Sequence, residues 1–179
     1  GKGVKVAVDN ILFEDTFNAT TQNTSTYRYA ITTMTMSQVG GYLTSNASGI
    51  NTINTNTSLQ TFRTFPLYNR AELRINISAL KTIAPQTNET IEMGLMSATL
   101  PGAAVPIDGC FLRWNAAAEL RGVCNVNSAE TQTAAITSPS TNVAHDYMIV
   151  INGNAIVFYI DELVVGTITM VSDIPGFGQ

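Results

Sequence analysis

The sequence predicts an all-β fold, a two-sheet antiparallel sandwich, and three observations carry that expectation. The first is a succession of three short apolar runs, residues 147–151, 155–160 and 163–169, broken at Asn152-Gly153-Asn154 and at Asp161-Glu162. Asn-Gly tolerates the positive φ of a tight hairpin turn, so apolar runs on either side of it mark paired strands, and three in a row make a meander. The second is strict alternation over residues 71–79. Ala71, Leu73, Ile75, Ile77 and Ala79 share one face, and Glu72, Arg74, Asn76 and Ser78 the other. That is the period of a strand with one buried and one wet face. The third is the lack of helical periodicity: the one stretch with helical character, residues 115–119, is too short to stand alone.

The elements follow in chain order. Residues 1–10, with Lys2 and Lys5, read as a flexible N-terminal arm. Residues 11–17 open the sandwich domain as a strand, with Leu12, Phe13 and Phe17 apolar. Residues 27–36 and 39–44 read as strands around Gly40-Gly41, and a Thr/Asn/Ser loop over 45–57 leads to a strand at 59–65, closed by Pro66. After the alternating strand at 71–79, residues 90–98 repeat the theme with Ile91, Met93 and Leu95 inward. Pro101, Gly102 and Pro106 bar regular structure over 99–107. Strands return at 110–114 and 120–126, the meander completes a single sandwich domain spanning 11–171, and 172–179 form a C-terminal tail. Many short strands with polar turns favour a two-sheet sandwich or jelly roll, and neither a repeat nor a linker-like shift in composition divides the chain.

Composition narrows the partners. Hydrophobic residues make up 45% of the 179 and charged residues only 12%, against about a quarter in an ordinary soluble domain. The surface is therefore mostly Thr, Asn, Ser and Gln. With a net charge of −4 the chain lacks the clustered Lys and Arg that nucleic acid rewards, and its apolar runs fall short of the roughly 20 residues of a membrane span. Asn-x-Ser/Thr sequons at Asn18, Asn23, Asn46, Asn56, Asn76 and Asn88 read as a by-product of Thr/Asn-rich strands and loops.

The order of signatures resembles a known family. Phe13-Glu14-Asp15-Thr16-Phe17, Gly41-Tyr42-Leu43, Arg63-Thr64-Phe65-Pro66-Leu67, Met93-Gly94-Leu95, Asp108-Gly109-Cys110-Phe111-Leu112-Arg113-Trp114 and residues 147–161 with Leu163-Val164 resemble the concanavalin A-like lectin/glucanase jelly roll. More narrowly, they resemble its stand-alone versions among tailed-phage virion proteins. The resemblance implies a curved two-sheet jelly roll whose relatives include lectins, glycoside hydrolases and capsid decoration modules.

Retaining glucanases of this fold use a Glu-x-Asp-x-x-Glu pattern, because nucleophile and acid must lie about 5 Å apart, and the sequence has none. Glu89 and Glu92 point to opposite faces of a strand, Glu14 and Asp15 diverge, and Asp161-Glu162 sits in a turn. His145, the only histidine, reads as a surface or hydrogen-bonded structural residue. Composition allows a Ser/His/Asp triad, but no Gly-x-Ser-x-Gly elbow supports it. No catalytic or cofactor-binding residue is expected, and His and Cys are too few for a metal centre built on them. Calcium held by Asp108, Asp146 or Asp161 is the one metal the residues allow, although no compact Asp-rich loop is present.

Two further groups stand out. If residues 115–119 connect two strands, Trp114 faces Leu120, Leu112 faces Gly122 and Cys110 faces Cys124. A cross-strand disulfide is then feasible, and two buried free thiols packing as small hydrophobes are the alternative, which the residues favour. The same register sets Arg113 opposite Arg121, an unfavourable pairing unless carboxylates intervene. Tyr42, Tyr68, Trp114 and Tyr147 are candidate ligand or interface aromatics, with core packing as the competing role for Trp114. The functional expectation is a non-enzymatic virion structural protein, a capsid decoration or cement subunit that binds the capsid and sibling subunits as a homo-oligomer at the particle surface. A carbohydrate-binding module using the concave sheet is the alternative, and a glycoside hydrolase the third.

Overall fold

Strands are the only regular secondary structure among the described residues of the computed structural model, which are 14–32, 34–39, 41–46, 56–61, 72–84, 86–97 and 106–170. The chain divides into two compact units, Gly1–Phe65 and Pro66–Gln179. The expected arm at 1–10 and tail at 172–179 lie outside the described residues.

In the first unit β1 (Tyr27–Thr32) pairs antiparallel with β4 (Asn56–Thr61), and β2 (Thr35–Val39) with β3 (Tyr42–Asn46). Val39 faces Tyr42, and Gly41 just before Tyr42 has φ +81°, the left-handed conformation that a side chain disfavours. The single strand expected at 27–36 is thus two strands with different partners. The strand expected at 59–65 begins earlier, at Asn56, and its residues 62–65 lie outside the described ones. Of the strand expected at 11–17, residues 11–13 are likewise outside, and Glu14 to Phe17 are irregular. Asp15 explains the irregularity. Its Oδ1 accepts the Phe17 N–H at 2.7 Å, turning the chain locally with Phe17 at φ +52°, and its Oδ2 accepts the Tyr27 hydroxyl at 2.7 Å. A short polar side chain that captures a backbone N–H two residues on competes with strand pairing.

The second unit is the two-sheet antiparallel sandwich. One sheet runs β12-β11-β10-β5 and the other β6-β7-β8-β9, with β5 Leu73–Leu80, β6 Ile91–Met96, β7 Gly109–Trp114, β8 Leu120–Val126, β9 Ala129–Gln132, β10 Ala144–Asn152, β11 Ala155–Ile160 and β12 Leu163–Thr169. Alternation in β5 is as expected, with Leu73, Ile75, Ile77 and Ala79 half-buried and the residues between them exposed. Ile91, Met93 and Leu95 of β6 pack against the core. That core interleaves Cys110, Leu112, Trp114, Leu120 and Cys124 from one sheet with Tyr147, Ile149, Ile151, Ile156, Phe158, Ile160 and Ile168 from the other.

The turns obey local chemistry. Asn152 faces Ala155, so the reversal rests on Gly153-Asn154, and Gly153 takes φ +59°. Asp161-Glu162 and Asn127-Ser128 each turn in two residues with both φ positive, the pattern whose twist matches paired strands. Residues 115–119 form a turn, not a helix. The Asn115 Oδ1 accepts the N–H groups of Ala117 and Glu119, each at 3.0 Å, and Ala118 sits at φ +64°. Strand β9, absent from the sequence expectations, reads Ala-Glu-Thr-Gln and is exposed throughout; an edge strand wet on both faces leaves no apolar period to detect.

One glycine seats the sheets on each other. A Cβ on Gly122 would stand 2.5 Å from Cδ2 and 2.6 Å from Cε2 of Phe158, whose ring is fully buried. The aromatic face therefore lies directly on the β8 backbone.

Candidate functional site

The candidate aromatics separate by burial. Trp114 and Tyr147 are core residues at 5% and 3% exposure, packed edge to face with centroids 5.8 Å apart. The Trp114 indole N–H donates to the Ser138 hydroxyl at 3.3 Å, and burial pushes the Tyr147 phenol up to about 12. Neither offers a face to a sugar ring. Tyr42 on β3 is 66% exposed, and Tyr68 lies outside the described residues.

The expected hairpin register is the observed one: Trp114 faces Leu120, Leu112 faces Gly122, Arg113 faces Arg121 and Cys110 faces Cys124. Both cysteines are free thiols, fully buried, with sulfurs 2.7 Å apart.

Carboxylates resolve the clash between the arginines. Arg113 Nε donates to Glu92 and its Nη1 to Glu130, each at 2.7 Å, while Arg121 reaches Glu119 at 2.8 Å and the Thr133 carbonyl at 3.0 Å. Burial alone would push the Arg113 guanidinium down, and its two glutamates outweigh that and raise it. The Arg113 cation also stands 5.1 Å from the Phe111 ring. Glu92 on β6 and Glu130 on β9 thus converge from opposite edges of one sheet, a meeting that the spacing of Glu89 and Glu92 did not foretell. A permanent cation separates the two carboxylates. Glu89 is tied to Lys81 at 2.8 Å.

The structure also brings together three residues that the sequence left apart. His145 Nδ1 lies 2.7 Å from Asp161 Oδ2, and its Nε2 lies 3.2 Å from the Ser140 hydroxyl. The order and distances match a serine hydrolase triad. However, Nε2 also lies 3.1 Å from the Ser140 carbonyl oxygen, which only accepts. Protons on both ring nitrogens satisfy all these partners, whereas a general base needs a bare Nε2. His145 is thereby a clamp that joins the segment before β10 to the β11–β12 turn, and Asp161 Oδ1 accepts the Asp146 N–H at 2.9 Å.

This clamp sets a pH dependence. The hydrogen bond to Asp161 raises His145 above its ordinary value, and the reciprocal bond lowers Asp161. The raised histidine stabilises below its unfolded pKa, roughly 6.5, and that contribution disappears as pH rises through the folded value. The lowered aspartate stabilises above the ordinary carboxylate range and loses its contribution as pH falls through its folded value. Thermal midpoints should therefore peak in mildly acidic buffer and fall toward alkaline pH, and His145→Gln should flatten the alkaline limb. An unchanged limb in the variant would refute the clamp.

Among the described residues no three His, Cys, Asp or Glu side chains form a group able to hold a metal ion. Of the calcium candidates, Asp108 accepts the Asn127 N–H at 2.7 Å, while Asp161 bonds the backbone of Asp146. No model of a known protein family matches the sequence, and no curated protein matches it.

Proposed function

We propose that the protein is a non-enzymatic structural subunit of a virus particle, a capsid decoration or cement protein with a concanavalin A-like jelly-roll sandwich. The observation that carries the adhesive role is the edge strand β12. Among the described residues it ends its sheet, and at its start Leu163 is 71% and Val164 60% exposed. An edge strand that starts with exposed apolar side chains offers a surface for pairing with another chain. Leu80, Ile83 and Val143 are further exposed apolar residues of the same unit, and the low charge of the chain reduces the cost of desolvating its surface. The virion setting and the jelly-roll affinity rest on the motif order that resembles tailed-phage proteins.

Purified particles stripped of the subunit are expected to lose thermal robustness and to recover it when the subunit is added back. Leu163→Lys with Val164→Lys should weaken rebinding by about tenfold or more while leaving the fold intact, because both side chains are exposed. Unchanged robustness, or no subunit density on the shell, rejects the cement role. A carbohydrate-binding role is the second reading, and the exposed Tyr42 ring favours it. Reproducible binding on a glycan array, abolished by Tyr42→Ala, would replace the adhesive reading with that one.

A further inference from the structure

We propose that Cys110 and Cys124 are an oxidative modification site, a dithiol that closes into an intramolecular cross-strand disulfide inside the sandwich. The geometry comes from the hairpin. Asn115 N–H donates to the Glu119 carbonyl at 2.9 Å, so 115/119 is a hydrogen-bonded pair. Such pairs alternate with non-hydrogen-bonded ones along an antiparallel ladder, which places 114/120, 112/122 and 110/124 in the second class. The far side of β8 agrees, because the Gly122 carbonyl accepts from Thr133 N–H at 2.9 Å and so faces away from β7. A directly opposed non-hydrogen-bonded pair sets Cα atoms about 4.5 Å apart, within the roughly 4.4–6.8 Å that a disulfide spans. The two sulfurs already touch, 2.7 Å apart, so closure requires neither a change of register nor a new side-chain direction.

Once one of the two sulfurs is exposed and ionised, its thiolate attacks a small disulfide oxidant of the glutathione class, forming a mixed disulfide and expelling one thiolate. The other cysteine then loses its proton to that thiolate and attacks the first cysteine's sulfur, expelling the second thiolate, which takes up a proton from solvent. The two cysteines are oxidised to one disulfide, and the oxidant is reduced to two thiols. Both cysteines are fully buried, so these steps proceed while β7 and β8 assemble, or when they open locally.

The test is refolding of the whole chain from denaturant in a buffer of reduced and oxidised glutathione, followed by alkylation in denaturant and intact-mass measurement. The expected product takes up no alkyl group, weighs two hydrogens less than the reduced chain, yields a 110–124 linked peptide on digestion, and melts several degrees higher. Uptake of two alkyl groups, or disulfide-linked dimers, would overturn the proposal. The single variants test the pairing: Cys110→Ser and Cys124→Ser should each retain one thiol able to take up one alkyl group or one glutathione and should lose the gain in melting temperature; a single variant that melts as high as the oxidised chain would overturn the proposal.

Discussion

Gly122→Ala is expected to destabilise the sandwich by about 3 kcal/mol, a large loss for one methyl group. The added Cβ would meet three atoms of the Phe158 ring at 2.5–2.8 Å. The ring cannot swing into solvent because it is wholly buried and shares its layer with Ile156 and Ile160. The clash predicts its own remedy. Phe158→Leu alone should be mildly to moderately destabilising, whereas the double variant should recover much of the Gly122→Ala loss, since the smaller side chain leaves room for the methyl group. Urea unfolding followed by Trp114 fluorescence measures this well, because Trp114 is the only tryptophan and lies in the same core. Additive effects in the double-mutant cycle would mean that ring and glycine are not in contact.

Arg113→Met should cost about 2 kcal/mol, somewhat less than the 3–5 kcal/mol for breaking a fully buried pair. The discount reflects exposure, since the arginine side chain is 11% and its glutamates 24% and 26% exposed. Methionine keeps an unbranched apolar stem, so the loss reports chiefly on two carboxylates left without their shared cation and on the cation removed from the Phe111 ring. Glu92→Gln or Glu130→Gln in the same chain should then be stabilising, the reverse of its effect beside an intact Arg113. If neither substitution restores stability, the network contributes through packing and not charge.

Much of the second unit was legible because its information is local. Side chains alternate with period two, and a two-residue turn fixes which residue faces which. The β7–β8 register could therefore be written down from residues 115–119 alone, together with its cysteine pair and opposed arginines. Faces of β5 and β6 followed from the same alternation. Where a short polar side chain binds backbone, the period alone misleads: Asp15 turns the chain at residues 15–17, where a strand is expected. Strand β9 escaped because its four residues carry no buried face.

The candidate sites divide along the same line. The sequence by itself determined an all-β chain, its main hairpins, the low charge and the pairing of Cys110 with Cys124, since each depends on composition or on neighbours joined by one turn. Only the tertiary structure decided that Glu92 and Glu130 share Arg113, that Ser140, His145 and Asp161 meet, that Tyr147 is core, and that Gly122 seats Phe158. Those contacts join different strands, loops or sheets. They are set by how apolar faces pack on one another, and packing across a sandwich has no period along the chain from which it can be read.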